Sequence, residues 1–379
     1  MTRSEQPWPE EPAVELFAPA KDRFDEWMRA EVPGRSADPR YAVRRATPAD
    51  FEAVYDLVDE AFGVVRPRAQ YDWLYRDNPW GLAQAWIVVE KKTGRFVSAG
   101  TGWPWPAARG DVPQHGTMKG DAAVLPHLQR QGLSELRRLV MMTHPFHLTG
   151  LRFSWVNAKT RGSMRKYQRI DASVTASIPR WGLDLRARAR LKRRGWPRWL
   201  AAGGGVVLDR LGHAGPRAAN GLRLEIVSRF DARFDPVTAH CMRFDEYWSP
   251  HDSRFLNWRY PGHPVHEYQS LALHRGAEVL AYAVVKLDGP RAELMEFAAP
   301  REDAPVCRTL LMGTVELARA AHCRRLEFSS TSSWRHLETF LAAGFAERPT
   351  AHAIMVWDRR ARPTGPEDWQ LVPGDNESS

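Results

Sequence analysis

Between residues 47 and 63 the apolar positions Phe51, Val54, Tyr55, Leu57, Val58 and Phe62 recur every three to four residues, the spacing of one face of an amphipathic helix. Thr47-Pro48-Ala49-Asp50 reads as the start of that helix, with a capping residue before proline and an acid in the first turn; Gly63 reads as its stop. The period then changes to two. Alternating or β-branched runs at 86–89, 96–102 and 116–125 predict strands, the last two joined through Trp103-Pro104-Trp105-Pro106 and a turn at Arg109-Gly110-Asp111. Pro126 stops the third run, and Leu133, Leu136, Leu139 and Val140 return to helical spacing over 134–143. A strand at 153–156 and a helix from about residue 163 follow.

The second half repeats this order. Trp73-Leu74-Tyr75-Arg76-Asp77-Asn78-Pro79 and Trp258-Arg259-Tyr260-Pro261-Gly262-His263-Pro264 share the pattern W-x-Y-x-x-x-P, 185 residues apart. Each is followed by two strand-like runs split by a glycine turn, and a duplicated α+β unit is the simplest account. In the second copy, strands at Leu271, Val279 and Leu294 precede a helix over 306–321, a strand at 325–329, a helix at 334–343 and a last strand at 351–357. The ends of the chain read as surface extensions, the first with a short helix at 21–30. The predicted organisation is an extension at 1–40, a first unit at 41–180, a basic connector at 181–222, a second unit at 223–360 and a tail at 361–379.

Composition changes this picture little. The 379 residues are 43% apolar and 26% charged, an ordinary globular balance that excludes a wholly disordered or coiled-coil chain. The longest uncharged, mostly apolar run, 200–208, falls far short of the ~20 residues that span a bilayer. The polar first dozen residues lack the apolar core of a secretory signal, so the expectation is a cytoplasmic protein without membrane insertion. Cys241, Cys307 and Cys323 show no ligand spacing, and neither a disulfide framework nor a metal site is expected.

Charge is more informative. Of the net +9, the stretch from 182 to 222 carries +7, with nine basic residues against two acids, which leaves +2 for the rest. Two near-neutral bodies and one basic connector do not make a general polyanion surface, so nucleic acid is not an expected partner. The connector reads as a solvated helix, as a clamp for an anionic substrate, or as a surface for nucleic acid or anionic lipid through Trp196-Pro197-Arg198-Trp199.

The candidate chemistry lies after the third strand. Pro126-His127-Leu128-Gln129-Arg130-Gln131-Gly132-Leu133-Ser134 is a glycine-containing loop that opens a helix; such a loop presents free backbone N–H groups at the positive end of the helix dipole and can cradle pyrophosphate. It resembles the acyl-CoA loop of the GNAT acyltransferase superfamily, in which Q/R-x-x-G-x-G/A follows a strand ending in V-x-P. Val124-Leu125-Pro126 and Gln129-x-x-Gly132-x-Ser134 fit that pattern, with serine at the final small position and Arg130 where glycine is frequent. Ala46-Thr47-Pro48-Ala49-Asp50 after Arg44-Arg45 is similar to the opening of such a domain, and Lys166-Tyr167-Gln168-Arg169-Ile170-Asp171 to its Y-x-K-x-G-F helix end. The resemblance implies an α+β chain of tandem acyl-CoA N-acyltransferase (GNAT) folds, each a mixed, mostly antiparallel sheet flanked by helices. It also implies acetyl-CoA or another acyl-CoA as co-substrate, no metal, and a working site in the first unit. In the second unit the corresponding junction, Glu296 to Pro305, has no glycine, and its loop carries two acids, Glu302 and Asp303, and two prolines where a phosphate would lie, so CoA is not expected there.

The same resemblance implies roles. Val124, Leu125, Gln129, Arg130, Gln131, Gly132, Leu133, Ser134 and the strand-end Asn157 would line acyl-CoA, with a strand-end N–H at 124–125 aimed at the thioester carbonyl. Tyr167 is the candidate acid for the leaving thiol, a buried core tyrosine being the other reading. Asp121 is the nearest carboxylate to the reacting strand and the candidate base. Strand alternation places it opposite 118, 120, 122 and 124, where it could equally partner Lys119 or a loop amide. His115 and His127 are weaker candidates. The expected activity is acyl transfer to the amine of a small molecule or peptide; a silent binding module of the same fold, and a transferase fed by an acyl-carrier protein or aminoacyl-tRNA, stay open. So do monomer and homodimer.

Overall fold

The computed structural model describes residues 38–143, 151–156, 174–186, 221–242, 247–330, 334–349, 353–358, 369–370 and 372–375. The helix expected at 21–30, the one expected from 163, and connector residues 187–220 lie outside these. The chain divides into two compact units, Met1–Ala107 with Pro113–Ala176 and Ala353–Gly365, and Ala108–Val112 with Ser177–His352 and Pro366–Ser379.

The first half of the sequence forms β1 (Tyr41–Arg45), α1 (Phe51–Phe62), α2 (Arg68–Tyr75), β2 (Gln84–Glu90), β3 (Phe96–Arg109), β4 (Val112–Val124), α3 (Leu133–Thr143), β5 (Leu151–Val156), β6 (Val174–Ser177) and β7 (Arg180–Asp184). The second half forms β8 (Leu222–Val227), α4 (Asp235–Met242), β9 (Tyr247–Trp248), α5 (Ser253–Arg259), β10 (Tyr268–Arg275), β11 (Glu278–Asp288), β12 (Arg291–Ala298), α6 (Ala304–Ala320), β13 (Arg325–Ser329), α7 (Leu337–Ala342), β14 (Ala346–Arg348), β15 (Ala353–Asp358) and β16 (Trp369–Gln370).

Local chemistry explains α1. The Thr47 N–H and hydroxyl both donate to Asp50 at 2.8 Å, and the Arg44 guanidinium pairs with the same carboxylate at 2.7 Å. That arginine holds the Asp50 carboxyl well below its ordinary range, so the cap stays ionised. Phe51, Val54, Tyr55, Leu57 and Val58 bury the predicted face, each contributing about 1.5–3 kcal/mol, whereas Phe62 is half exposed. Gly63 ends the helix at φ +65°, a left-handed conformation that favours glycine. β3 continues straight through Pro104 and Pro106. β2 begins at Gln84 opposite Gly102 and does not reach the prolines, so their missing N–H groups break no ladder bond on that side.

The first sheet runs β1-β2-β3-β4-β5-β15-β6, and the second β14-β7-β13-β12-β11-β10-β8. The boundaries read from the sequence at 180 and 360 therefore need correction. β15, expected as the last strand of the second copy, lies in the first sheet, antiparallel to β5 with Ala353 opposite Val156. β7, expected as the start of the connector, lies in the second sheet between β13 and β14. Alternating apolar residues specify a buried strand but not which sheet receives it. Polar partners do: Asp184 of β7 meets Arg325 at 3.2 Å and Arg348 at 3.0 Å within the second unit. The core of that unit packs Leu294 and Phe297 of β12 against Val306, Leu310 and Leu311 of α6 and the rings of Phe328, Trp334, Phe340 and Phe345.

The repeat extends to hydrogen bonds. Asn78 Oδ1 accepts from Trp80 N at 2.9 Å, and His263 Nδ1 accepts from Val265 N at 3.1 Å, donor and acceptor each displaced by 185 positions. No helix among the described residues is long and apolar enough to cross a membrane.

Candidate functional site

β4 pairs in parallel with β5 only through Gly116, Thr117 and Met118. Beyond Met118 it runs on to Val124 with no further β5 register among the described residues, and Ala122 is exposed near the end of this central strand. β12 and β13 likewise pair only over 291–293 and 325–327. Each sheet is thus opened in the same place, between its fourth strand and the parallel neighbour. The backbone bends where the opening begins. Asp121 sits at φ +45°, a conformation costing about 1–3 kcal/mol for a residue other than glycine. In β12 the register with β11 shifts by one residue between Leu294 and Glu296.

The opened strand leads to the loop. Pro126–Leu128 forms one 3-10 turn, closed by Leu128 N to Leu125 O at 2.9 Å. Arg130 then takes φ +66° and Gly132 φ +83°, before α3 begins with Leu136 N bonded to Gly132 O at 2.9 Å. Arg130 thus occupies the left-handed conformation that the more frequent glycine would adopt without strain. Gln129, Arg130 and Gln131 are exposed, Gly132 and Ser134 partly so, and Leu133 is buried as an anchor. The N–H groups of the first turn of α3 have no acceptor within the helix. Val124 is half-buried. Leu125 departs from expectation: its N–H donates to Val97 O at 3.1 Å and is not free for a thioester carbonyl. One turn into α3, buried Arg137 binds Ser98 Oγ at 2.7 Å, Ala123 O at 3.2 Å and Ala99 O, tying the helix to β3 and β4. Asn157 and Tyr167, and the side chain of His115, lie outside the described residues; His127 is exposed.

Among the described residues Asp121 pairs with neither Lys119 nor a loop amide. The bend at this residue turns its carboxylate toward α2 and the segment before it, where Oδ1 meets Arg66 Nη1 at 2.9 Å and Oδ2 accepts from the Tyr75 hydroxyl at 2.9 Å. Tyr75 also accepts from the Thr101 hydroxyl at 2.8 Å. Burial pushes the Asp121 carboxyl up and the Arg66 charge opposes it. Burial holds the Tyr75 phenol well above its ordinary value, so it remains a donor. The surrounding wall is aromatic: Tyr55 stacks on Tyr71 with centroids 4.4 Å apart, Tyr75 meets Tyr55 edge-on at 4.9 Å, and the Arg66 guanidinium lies over Tyr71.

The second unit holds the same constellation. His251 Nδ1 lies 2.8 Å from Glu296 Oε1, and the Tyr260 hydroxyl donates to the same oxygen at 2.5 Å. Arg66 and His251, like Tyr75 and Tyr260, stand 185 positions apart. Extending the Trp-x-Tyr offset upstream would have found this cation pair, which the differing residue types concealed. Here the chain's tail adds a fourth member, with Asp375 Oδ1 2.9 Å from His251 Nε2 and Gly374 O accepting from Arg259 Nε at 3.0 Å. The loop of this unit differs from that of the first. Asp303 caps α6 by accepting from Val306 N at 3.0 Å, which spends an N–H and puts negative charge at the helix start. Cys307 and Cys241 are buried, their thiols pushed by burial up to about 11 and about 12, and neither is a nucleophile at neutral pH. Among the described residues no cluster could hold a metal ion.

No protein-family profile matches the sequence, and no curated protein matches it. Solved structures do match. A probable N-acyltransferase from Enterococcus faecalis V583 superposes with a TM-score of 0.60 at 10% identity, over 83% of this chain and 71% of its own. A GCN5-related N-acetyltransferase from Anabaena variabilis gives 0.54 at 9% identity, over 83% and 72%, and one from Kribbella flavida 0.51 at 13%, over 84% and 71%. A mixed sheet opened beside its fourth strand, above a helix start led by a glycine loop and matched by these structures over more than four fifths of the chain, is the fold of the GNAT N-acyltransferase superfamily, and this chain has it.

Proposed function

We propose that the chain is an acyl-CoA-dependent N-acyltransferase whose working site lies in the first unit. The observation that carries this reading is one arrangement: β4 parts from β5 after Met118 and delivers the chain to a loop whose backbone turns at Arg130 and Gly132 into the N-terminus of α3. The donor set suits a CoA pyrophosphate. Residues 126–134 contain no acid, the first-turn N–H groups of α3 lack intrahelical acceptors, and Arg130 adds an exposed guanidinium. Gln129, Gln131, Gly132, Leu133 and Ser134 would hold the diphosphate, and Val124 the pantetheine arm beside the opened strand.

Acyl transfer forms a bond from the acceptor nitrogen to the thioester carbon and breaks the carbon–sulfur bond; the amine loses a proton and the thiolate gains one. Tyr167 is the proposed donor of that proton. Asp121 is better read as a positioning group than as the base, because Arg66 and Tyr75 engage its two oxygens and a base needs a lone pair facing the amine. The amine proton then leaves through water. The acceptor is a small-molecule or peptide amine.

Calorimetric titration with acetyl-CoA and a longer acyl-CoA tests the reading, beside a Gly132→Glu variant that places a carboxylate in the loop at φ +83°. Micromolar binding lost in the folded variant is expected; no binding of either ligand by the native chain would overturn it. The burial of Asp121 favours one second reading, a module of this fold that binds acyl-CoA without turnover, for which no amine would elicit CoA release.

A further inference from the structure

The second unit displays an occupant on its cation–tyrosine–carboxylate cluster. His251 lies between two carboxylates, Glu296 from the sheet and Asp375 from the tail, and both nitrogens of its ring are engaged. Gly374 packs so closely on this cluster that a Cβ there would collide with Glu296 Oε1 and the Tyr260 hydroxyl, while its carbonyl oxygen accepts from Arg259. Residues 372–375 therefore sit as a bound acidic peptide would, with the side-chain carboxylate on the cation and the backbone against the tyrosine.

Among the described residues, the first unit presents the same cluster without that cover. Arg66 stands where His251 stands in the repeat and engages Asp121 through Nη1, its one ion-pair partner among the described residues. Its side chain is 27% exposed, whereas that of His251 is 0% exposed. A planar guanidinium can hold one carboxylate on each of two edges, which an ammonium cannot do with the same geometry. Val64 and Val65, exposed beside it, supply apolar surface for an aliphatic ligand stem. The nearby acid Asp59 is already committed: it accepts from the Arg66 N–H at 3.2 Å and the Tyr71 hydroxyl at 2.7 Å, and it faces Arg68 at 3.6 Å.

We infer that Arg66 is the recognition point for a carboxylate on the acceptor, and that the acceptor of the first unit is a carboxylate-bearing amine, an amino acid or short acidic peptide. The inference rests on the acyltransferase reading above. Its probes are three peptides with free N-termini: Val-Pro-Gly-Asp-amide, which copies residues 372–375; Val-Pro-Gly-Asn-amide; and Val-Pro-Gly-Gly with a free C-terminal carboxylate. Titrated into the full chain, the two acidic peptides are expected to bind at least about tenfold more tightly than the asparagine amide, and their ranking tells a side-chain carboxylate from a terminal one. Arg66→Gln is expected to erase the preference and Arg66→Lys to keep part of it. A double variant, Arg66→Gln with Asp121→Asn, leaves no buried carboxylate unpaired and repeats the test should the single variant unfold. Absence of preference in the native chain, or a preference that survives Arg66→Gln, would overturn the inference. Acyl-CoA titration of the same samples separates the two failures: donor binding without peptide preference sinks only the Arg66 assignment, while absent donor binding sinks the acyltransferase reading.

Discussion

Tyr75 shows how one hydroxyl joins three elements, donating to Asp121 on β4 while accepting from Thr101 on β3 from its own place at the end of α2. Tyr75→Phe should cost about 1–3 kcal/mol, because it leaves a buried carboxylate and a buried hydroxyl each one partner short. Denaturant titration would measure the loss, and acyl-CoA affinity should be unchanged, since Tyr75 is remote in sequence and role from the 129–134 loop. His251 gives a pH signature to the second unit. Burial alone would lower its pKa, but Glu296 and Asp375 outweigh burial and hold it at about 10, against 6.5 in the unfolded chain. Its stabilisation is therefore complete below pH 6.5 and is lost as pH rises toward 10, where the folded state must give up the proton. The melting temperature should fall over that window, and His251→Gln should flatten the slope at a lower starting stability. Neither constellation was visible in the sequence. The tyrosines were found through their tryptophans, but an arginine and a histidine at the same repeat position do not look alike, and the bend that aims Asp121 at Arg66 breaks the alternation from which its face was read.

At the scale of elements, the helix that opens on the glycine loop is fastened by the arginine in its apolar stripe. Leu133, Leu136 and Leu139 marked that stripe in the sequence, and Arg137, four residues after Leu133, lies on it although its charge suggests solvent. Arg137→Met keeps the length and loses the bonds to Ser98, Ala99 and Ala123, leaving carbonyl oxygens buried without this donor. A loss of about 2–4 kcal/mol is expected. Acyl-CoA binding should weaken in parallel while the loop sequence stays intact, and hydrogen exchange of the α3 amides would show that the helix has loosened. The loop was legible because its chemistry is backbone chemistry: a glycine, a strand before it and an apolar helix after it are local signals. The engagement of Leu125 N–H with Val97 was not, since it depends on a strand some 28 residues away.

For the whole molecule, the correspondence between residues 73–79 and 258–264 was legible from repeated tryptophan, tyrosine and proline, but the exchange of β7 and β15 was not, because apolar alternation carries no address. A fragment of residues 1–178 would lack β15 and expose facing edges of β5 and β6. It should melt without cooperativity, and fusion of residues 351–360 through a flexible linker should restore a cooperative transition; a sharp melt of the bare fragment would contradict the topology. The exchange also sets a schedule for the newborn chain. β6 ends at Ser177 and β15 ends at Asp358, so about 180 further residues must leave the ribosome before the first sheet can close. At roughly 5–20 residues per second that is on the order of 10–40 s during which two strand edges stand open to other chains. Slower synthesis of residues 178–358 should lengthen that interval and lower the fraction of chains that reaches the native form.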